Sequence, residues 1–340
     1  MTGEQMLAEM DEQPTVIAEL VARWPEVTAA TRALVPKDLA GTTLVARGSS
    51  DNAAVFGRYL IELASGRPAA LAAPSLATRY GARTDYRGWL GVALSQSGAT
   101  PEVVTVAAAM RAQGAVTIGI SNERDCPLAE AVDLLVPLDA GPERAVPATK
   151  TVTSQLVAVA MIAAGLGRTP YTLPDFEAAH FAVAEVLDDW GPVQRLAARW
   201  AGSERLFVVG RGLLYAAALE IALKIKETTG VLAEALSAAD LRHGPVAAVG
   251  PGTPVLLVDG GGQVAADIAE LADVLAARGA DLMTLGAGPA ADISVPGSLP
   301  EAVQAVPATV RGQQLAYALA TARGMDPDRP AGLSKITATT

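Results

Sequence analysis

The sequence predicts an α/β protein made of two successive doubly wound parallel sheets. Three observations carry that prediction. Short apolar runs of strand length end in Gly- or Ser-rich turns and lead into helix-length segments. The same order of events occurs twice, at a nearly constant offset. The composition, 51% apolar but only 4% aromatic, supplies the Ala, Val, Leu and Ile interiors that suit helices packed closely on sheets.

Taken in order, residues 3–33 read as helices that precede the first repeat. Leu44-Val45-Ala46 is a short strand that runs into Arg47-Gly48-Ser49-Ser50, and a helix then extends to Gly66. Gly91-Val92-Ala93-Leu94 is the next strand and ends in Ser95-Gln96-Ser97-Gly98-Ala99-Thr100. The strands of residues 115–120 and 133–137 follow. A shift of 164 positions lays Arg47 on Arg211, Gly48 on Gly212 and Gly66 on Gly230, and superposes 91–98 on 255–262. With a one-residue slip 115–120 corresponds to 280–285, and Asp133–Pro137 is echoed by Asp292–Pro296. Strand, turn and helix recurring in this order make a parallel sheet, and two such runs make a duplication. The expected organisation is an N-terminal helical segment (1–34), a first sheet domain (35–168) and a linker helix (169–200). A second sheet domain (201–326) and a C-terminal tail (327–340) complete it.

A length of 340 residues accommodates two domains of ordinary size. The net charge of -10 and the lack of any basic run argue against nucleic acid and anionic membrane as partners. The acidic N-terminus does not resemble a secretory signal. The longest apolar run, residues 157–167, falls short of the ~18 residues a membrane span needs, so a cytoplasmic protein is expected. Cys126 is the lone cysteine and reads as a small residue near a strand end. No metal-ligand cluster accompanies it, so neither metal nor cofactor is expected. Arg47-Gly48-Ser49-Ser50 and Gly210-Arg211-Gly212 lack the third glycine of a dinucleotide fingerprint, and no Walker-type Gly-Lys-Ser/Thr occurs.

Open parallel sheets bind ligands beyond the carboxyl ends of their strands. Two such ends of the first repeat, Gly48-Ser49-Ser50 and Ser95 to Thr100, are rich in hydroxyls. Pro101 suits a first helical position, so the second turn lies at a helix N-terminus. Free N–H groups, the helix dipole and hydroxyls together favour a phosphate; the competing reading is that Ser and Thr here are ordinary helix caps and turn formers.

The second repeat carries a different signal. Residues 213–225 are almost wholly apolar and predict a buried helix, yet Glu220, Lys224 and Glu227 fall at i, i+4 and i+7 on one stripe. Buried charge is costly unless paired or used, so the stripe is either a buried ion-pair cluster or the wall of a site. Sixteen residues beyond Glu227 comes His243, one of only two histidines, in Leu241-Arg242-His243-Gly244-Pro245. His180, on a probable helix, reads as structural, and Lys150 and Arg211 as positioning residues.

These motifs occur in an order that resembles a known family. Ser95-Gln96-Ser97-Gly98-x-Thr100, Ala148-Thr149-Lys150-Thr151-x-Thr153-x-Gln155, Ala218-Leu219-Glu220-x-Ala222-Leu223-Lys224-x-Lys226-Glu227, Leu241-x-His243-Gly244-Pro245 and Leu333-Ser334-Lys335 are similar to tandem sugar-isomerase (SIS) proteins. Among these the chain most resembles the isomerase half of glucosamine-6-phosphate synthase, and Glu9-Met10-x-Glu12-Gln13-Pro14 resembles the start of that half. The resemblance implies flavodoxin-like three-layer α/β/α domains. It makes Ser50, Ser95, Gln96, Ser97 and Thr100, with Gly48, the sugar-phosphate site, and Val146, Ser334 and Glu220 further substrate contacts. Glu227 is then the carboxylate that moves a proton between C1 and C2, and His243 opens the sugar ring from a partner subunit. Lys335 forms a Schiff base with the open-chain ketose, and Lys224 serves proton transfers around that imine.

There are departures. The synthase has a glutaminase domain ahead of this region, for which residues 1–34 leave no room, and Ala99 and Ala148 replace an acidic residue and a serine of the family pattern. Without ammonia from glutamine the implied reaction runs towards breakdown, as in hexosamine-6-phosphate deaminases. The alternatives are a fructosamine-6-phosphate deglycase, another phosphosugar isomerase, or a non-catalytic sugar-phosphate-binding regulator. A carboxylate in a water-poor wall suits such proton transfer, because desolvation raises proton affinity towards the working pH. A homodimer with a shared site is the expected assembly.

Overall fold

Runs of aliphatic residues become parallel strands here because both faces of each sheet are covered by helices. The computed structural model describes residues 2–287 and 291–335. Three helices open the chain: α1 (Glu4–Asp11), α2 (Gln13–Val21) and α3 (Trp24–Leu34). Then come β1 (Gly41–Val45), α4 (Ser49–Ser65), β2 (Ala69–Leu71), α5 (Ser75–Thr78), β3 (Trp89–Leu94) and α6 (Pro101–Ala112). The first sheet closes with β4 (Val116–Ser121), α7 (Pro127–Ala131), β5 (Leu134–Pro137) and α8 (Lys150–Leu166). Its strand order is β2-β1-β3-β4-β5, all parallel. Because the winding reverses between β1 and β3, the turns after these two strands diverge and leave a crevice at their carboxyl ends.

The chain continues through α9 (Leu173–Glu177), α10 (Ala179–Asp188) and α11 (Gly191–Trp200). The second sheet follows as β6 (Arg205–Gly210), α12 (Leu214–Thr229), β7 (Leu232–Ser237), α13 (Ala238–Arg242), β8 (Pro254–Asp259) and α14 (Ala265–Ala277). It ends with β9 (Asp281–Ala287), β10 (Ile293–Val295) and the long α15 (Glu301–Ala322). Its order, β10-β9-β8-β6-β7, repeats that of the first sheet strand for strand. The echo noted between Asp133 and Asp292 has a physical cause. Asp133 accepts from the backbone and hydroxyl of Thr117, each at 2.9 Å, and Asp292 does the same for Thr284 at 2.8 and 2.9 Å.

By contacts the chain divides into two units. Of the described residues, one holds Val16–Glu143 and Lys150–Pro170; the other holds residues 2–15, Arg144–Thr149 and Tyr171–Lys335. In the first unit the apolar run of residues 157–167 belongs to α8, nearly all of which is buried. An all-round apolar helix is a core helix. It lies tight on α4, since a Cβ on Gly57 would come 2.4 Å from Val159. In the second unit α15 plays the same part against α12, and a Cβ on Gly312 would meet Ile221 at 2.1 Å. The segment expected as one linker helix, 169–200, forms three helices, and α10 and α11 pack on α15. No described helix is long and apolar enough to cross a membrane.

Candidate active site residues and family

In the first unit the hydroxyl-rich turns lie where the sheet topology opens. Gly48 and Gly98 adopt positive φ (60° and 61°), which glycine reaches without the Cβ penalty. Gly98 is also boxed in: a Cβ there would come 2.2 Å from Cys126 Sγ and 2.7 Å from Ser121 Oγ. Cys126, expected to be a small residue near a strand end, therefore backs the turn, and the Gly98 carbonyl accepts from Leu128 N at 2.9 Å.

Gly48 precedes α4 and Thr100 precedes α6, and neither N-cap residue makes a cap bond with its own side chain. Thr100 Oγ1 instead meets Ser95 Oγ at 3.0 Å, and Ser97 Oγ accepts from Ala99 N at 3.2 Å. The Ser95 and Thr100 hydroxyls thus cluster at a helix start, and Ser97 serves the turn as serine commonly does. Ser50 and Ser95 are buried, whereas Gln96, Ser97 and Thr100 are half-buried. Arg47, at the end of β1, pairs with Glu102 at 2.8 Å and so ties the two turns together. Burial pushes the carboxyl of Asp51 upward, with Arg47 pulling the other way. Gln155 Nε2 donates to Ser50 Oγ at 2.9 Å. That contact, 105 residues apart in sequence, gives Gln155 a place beside the site that its motif alone did not specify.

In the second unit α12 presents the charged stripe as the spacing predicts. Lys224 Nζ lies 3.4 Å from Glu220 Oε1 and donates to Glu227 Oε2. The exposures separate the roles: Lys224 and Glu220 are 1% and 2% exposed, but Glu227 is 23% exposed. Glu227 is thus the member of the stripe that another molecule can reach, with a buried cation behind it. His243 is the C-cap of α13; its backbone N–H donates to Asp240 O, and its ring is exposed. Among the described residues no hydrogen bond joins that ring to Lys224 or Glu227. His180 stacks on Phe181 with ring centres 3.8 Å apart, and Arg211 pairs with Asp267 at 3.0 Å. Lys150 is wholly buried at the start of α8 in the first unit.

Val146 and the tail are positioned by residues that the sequence motifs did not single out for this purpose. Asp328 accepts from Gln5 N at 3.1 Å and Met6 N at 2.7 Å, and so caps α1. Its carbonyl accepts from Val146 N at 3.0 Å. The Glu9 carboxylate accepts from the backbone of Arg144 and Ala145, which gives the acidic opening segment a structural purpose. Ser334 and Lys335 close the described tail and, like Val146, belong to the second unit.

With this geometry in hand, comparison with known proteins is informative. A model of the SIS domain matches residues 42–165 and again 201–295. The chain belongs to the SIS domain family. Relatives include the glutamine–fructose-6-phosphate aminotransferases (isomerizing) of Methanothermobacter thermautotrophicus, 30% identical over 338 residues, and Pyrococcus horikoshii, 32% identical over 342. Each match takes in 97% of this chain, and the chain spans 56% and 57% of those relatives. Among solved structures, the C-terminal domain of glucosamine-fructose-6-phosphate aminotransferase from Francisella tularensis superposes with a TM-score of 0.86 at 25% identity, covering 96% of this chain and 98% of that one. The SIS chain is thus homologous to the isomerase half of these enzymes. A glucosamine-6-phosphate deaminase from Thermotoga maritima has a TM-score of 0.82 over 99% of this chain and 100% of its own, but at 24% identity it shows likeness of fold alone.

Proposed function

We propose that this SIS protein is a phosphosugar isomerase that acts on a hexosamine 6-phosphate and releases ammonia to leave a ketose 6-phosphate. The observation that carries the reading is the α12 stripe, a buried lysine held between two carboxylates of which only Glu227 reaches the surface. A structural ion pair has no need of a third, partly exposed member, whereas a proton-transfer site does. The hydroxyl turns of the first unit, gathered at helix starts, support the phosphate-binding part of the reading.

In this reading Ser50, Ser95, Gln96, Ser97 and Thr100, with the Gly48 turn, bind the 6-phosphate. Val146, Ser334 and Glu220 take part in substrate binding. His243, contributed to the neighbouring subunit of a homodimer, opens the ring. Glu227 then removes the C2 proton of the open-chain amino aldose and returns a proton to C1, so the nitrogen at C2 becomes an imine. Lys224 stabilises charge and holds protons around that imine. The Lys335 amine adds at C2, ammonia leaves, and water hydrolyses the resulting lysine imine to ketose and free lysine. Atoms and electrons balance with water as the only co-reactant.

The test is to supply glucosamine 6-phosphate, galactosamine 6-phosphate, a fructosamine 6-phosphate and fructose 6-phosphate, measuring ammonia and ketose phosphate while recording the mass in solution. Ammonia and ketose phosphate in equal amounts from a hexosamine phosphate, by a dimer, are expected. Turnover of the fructosamine phosphate alone would move the assignment to a deglycase. A strictly monomeric active protein would contradict the shared site.

A further inference from the structure

Helices α4 and α8 of the first unit pack along a seam whose contacts run in sequence order. At one end Gln155 Nε2 donates to Ser50 Oγ at 2.9 Å. Further along, a Cβ on Gly57 would come 2.4 Å from Val159, and one on Gly167 would come 2.0 Å from the Ala64 carbonyl oxygen. Packing this close leaves the Gln155 side chain, 1% exposed, little freedom to move. Residues 156–163, which follow it on α8, are apolar and buried. A glutamine at the head of such a run needs a reason, because burying an amide is costly unless its polar atoms are matched. Only one end is matched: Gln155 Oε1 is buried with no hydrogen-bond partner among the described residues.

The direction of the single bond supplies the reason. A serine hydroxyl carries one proton and two lone pairs, whereas an amide has a donor end and an acceptor end. An amide oxygen turned to Ser50 would take the serine proton, and only lone pairs would face an incoming anion. Here the nitrogen faces Ser50, and a donor cannot take that proton. Among the described residues no acceptor meets it. The hydroxyl is therefore anchored through a lone pair and keeps its proton for another molecule.

We propose that Gln155 is a positioning residue of the phosphate site, which fixes Ser50 as a hydrogen-bond donor to the phosphate oxygens. The inference rests on the phosphate-binding reading of the first unit. Gln155 itself makes no contact with the ligand, and its effect passes through Ser50.

The test is calorimetric titration of inorganic phosphate into the full chain as wild type, Gln155→Met, Ser50→Ala and the double variant. Methionine keeps the side-chain length and removes both amide atoms, the orphaned oxygen included, so the melting temperature should stay near that of wild type. Gln155→Met and Ser50→Ala should each weaken phosphate binding about tenfold, and the double variant should bind no more weakly than Ser50→Ala alone. Gln155→Glu adds a pH profile. Its carboxylate accepts the serine proton and should weaken binding about a hundredfold at high pH. Once protonated it can donate to Ser50 again, so its deficit against wild type at the same pH should shrink as pH falls from about 8 to about 5.5. If Gln155→Met fails to fold, this profile decides alone. Full affinity in Gln155→Met, a loss that persists in the Ser50→Ala background, or a deficit of Gln155→Glu independent of pH overturns the role of Gln155 and leaves the phosphate site standing. Wild type that binds neither phosphate nor glucosamine 6-phosphate overturns the phosphate reading, and this inference with it.

Discussion

Lys224 shows most clearly how a single side chain can be both structural and chemical. Its ammonium is buried with Glu220 on one side and Glu227 on the other. Removing it strands a buried carboxylate, so Lys224→Ala should cost about 3–5 kcal/mol. The double change Glu220→Leu with Lys224→Met removes both buried charges and should cost less than Lys224→Ala alone. Urea unfolding of the three proteins checks this; a double variant less stable than Lys224→Ala would show that the charges stabilise the fold as a pair. At this scale the α12 stripe was legible because helical periodicity alone puts positions 220, 224 and 227 on one face. The Ser50–Gln155 contact was not, since only the tertiary fold joins residues 105 apart. Cys126 read as a bland residue because its role depends on the empty space at Gly98.

At the scale of elements, the strands visible in the sequence were the aliphatic ones, including the edge strands β5 and β10. The ones that escaped notice are the opposite edges, β2 and β7. Ala69-Ala70-Leu71 and Leu232-Ala233-Glu234-Ala235-Leu236 are rich in helix-favouring Ala, Leu and Glu and become strands only because β1 and β6 offer a parallel edge. The long α15 hid a second surprise. Arg311 is buried yet donates to the carbonyls of Ser294 and Val186, each at 3.0 Å, and to that of Asp189, a pairing no local pattern announces. The same helix makes a pH prediction through Glu301. Burial raises this carboxyl above its ordinary 4.5, with the Gln263 and Leu213 amides opposing. The folded chain therefore holds the Glu301 proton more tightly than the unfolded one. The resulting stabilisation is complete below about 4.5 and is lost as pH rises through the raised value. Relative to Glu301→Gln, wild type should gain stability in urea unfolding as pH is lowered from 7 towards 4.5; a relative loss would contradict the sign.

For the molecule as a whole, the duplication was legible because turns and glycines recur at a fixed offset, and the matching strand orders bear it out. Less legible was the way the two copies have diverged. The first keeps hydroxyls around its strand ends, whereas the second replaces them with glycines around the Glu301 carboxylate and moves its charge to α12. The N-terminal helices illustrate a further limit. Sequence order places them before the first sheet, but α1 packs against α10 and α15 of the second, held by the Asp328 cap and a 2.8 Å bond from Gln13 to Gln313.

The proposed activity rests finally on Glu227 as the group that moves the proton between C1 and C2. Its most direct test is a time course of glucosamine 6-phosphate turnover by proton NMR with wild type and Glu227→Gln, after inorganic phosphate has been shown to bind both equally. Wild type should convert the sugar to a ketose 6-phosphate, and the variant should lose at least a thousandfold in rate. Conversion by the variant at a rate near that of wild type would contradict the account.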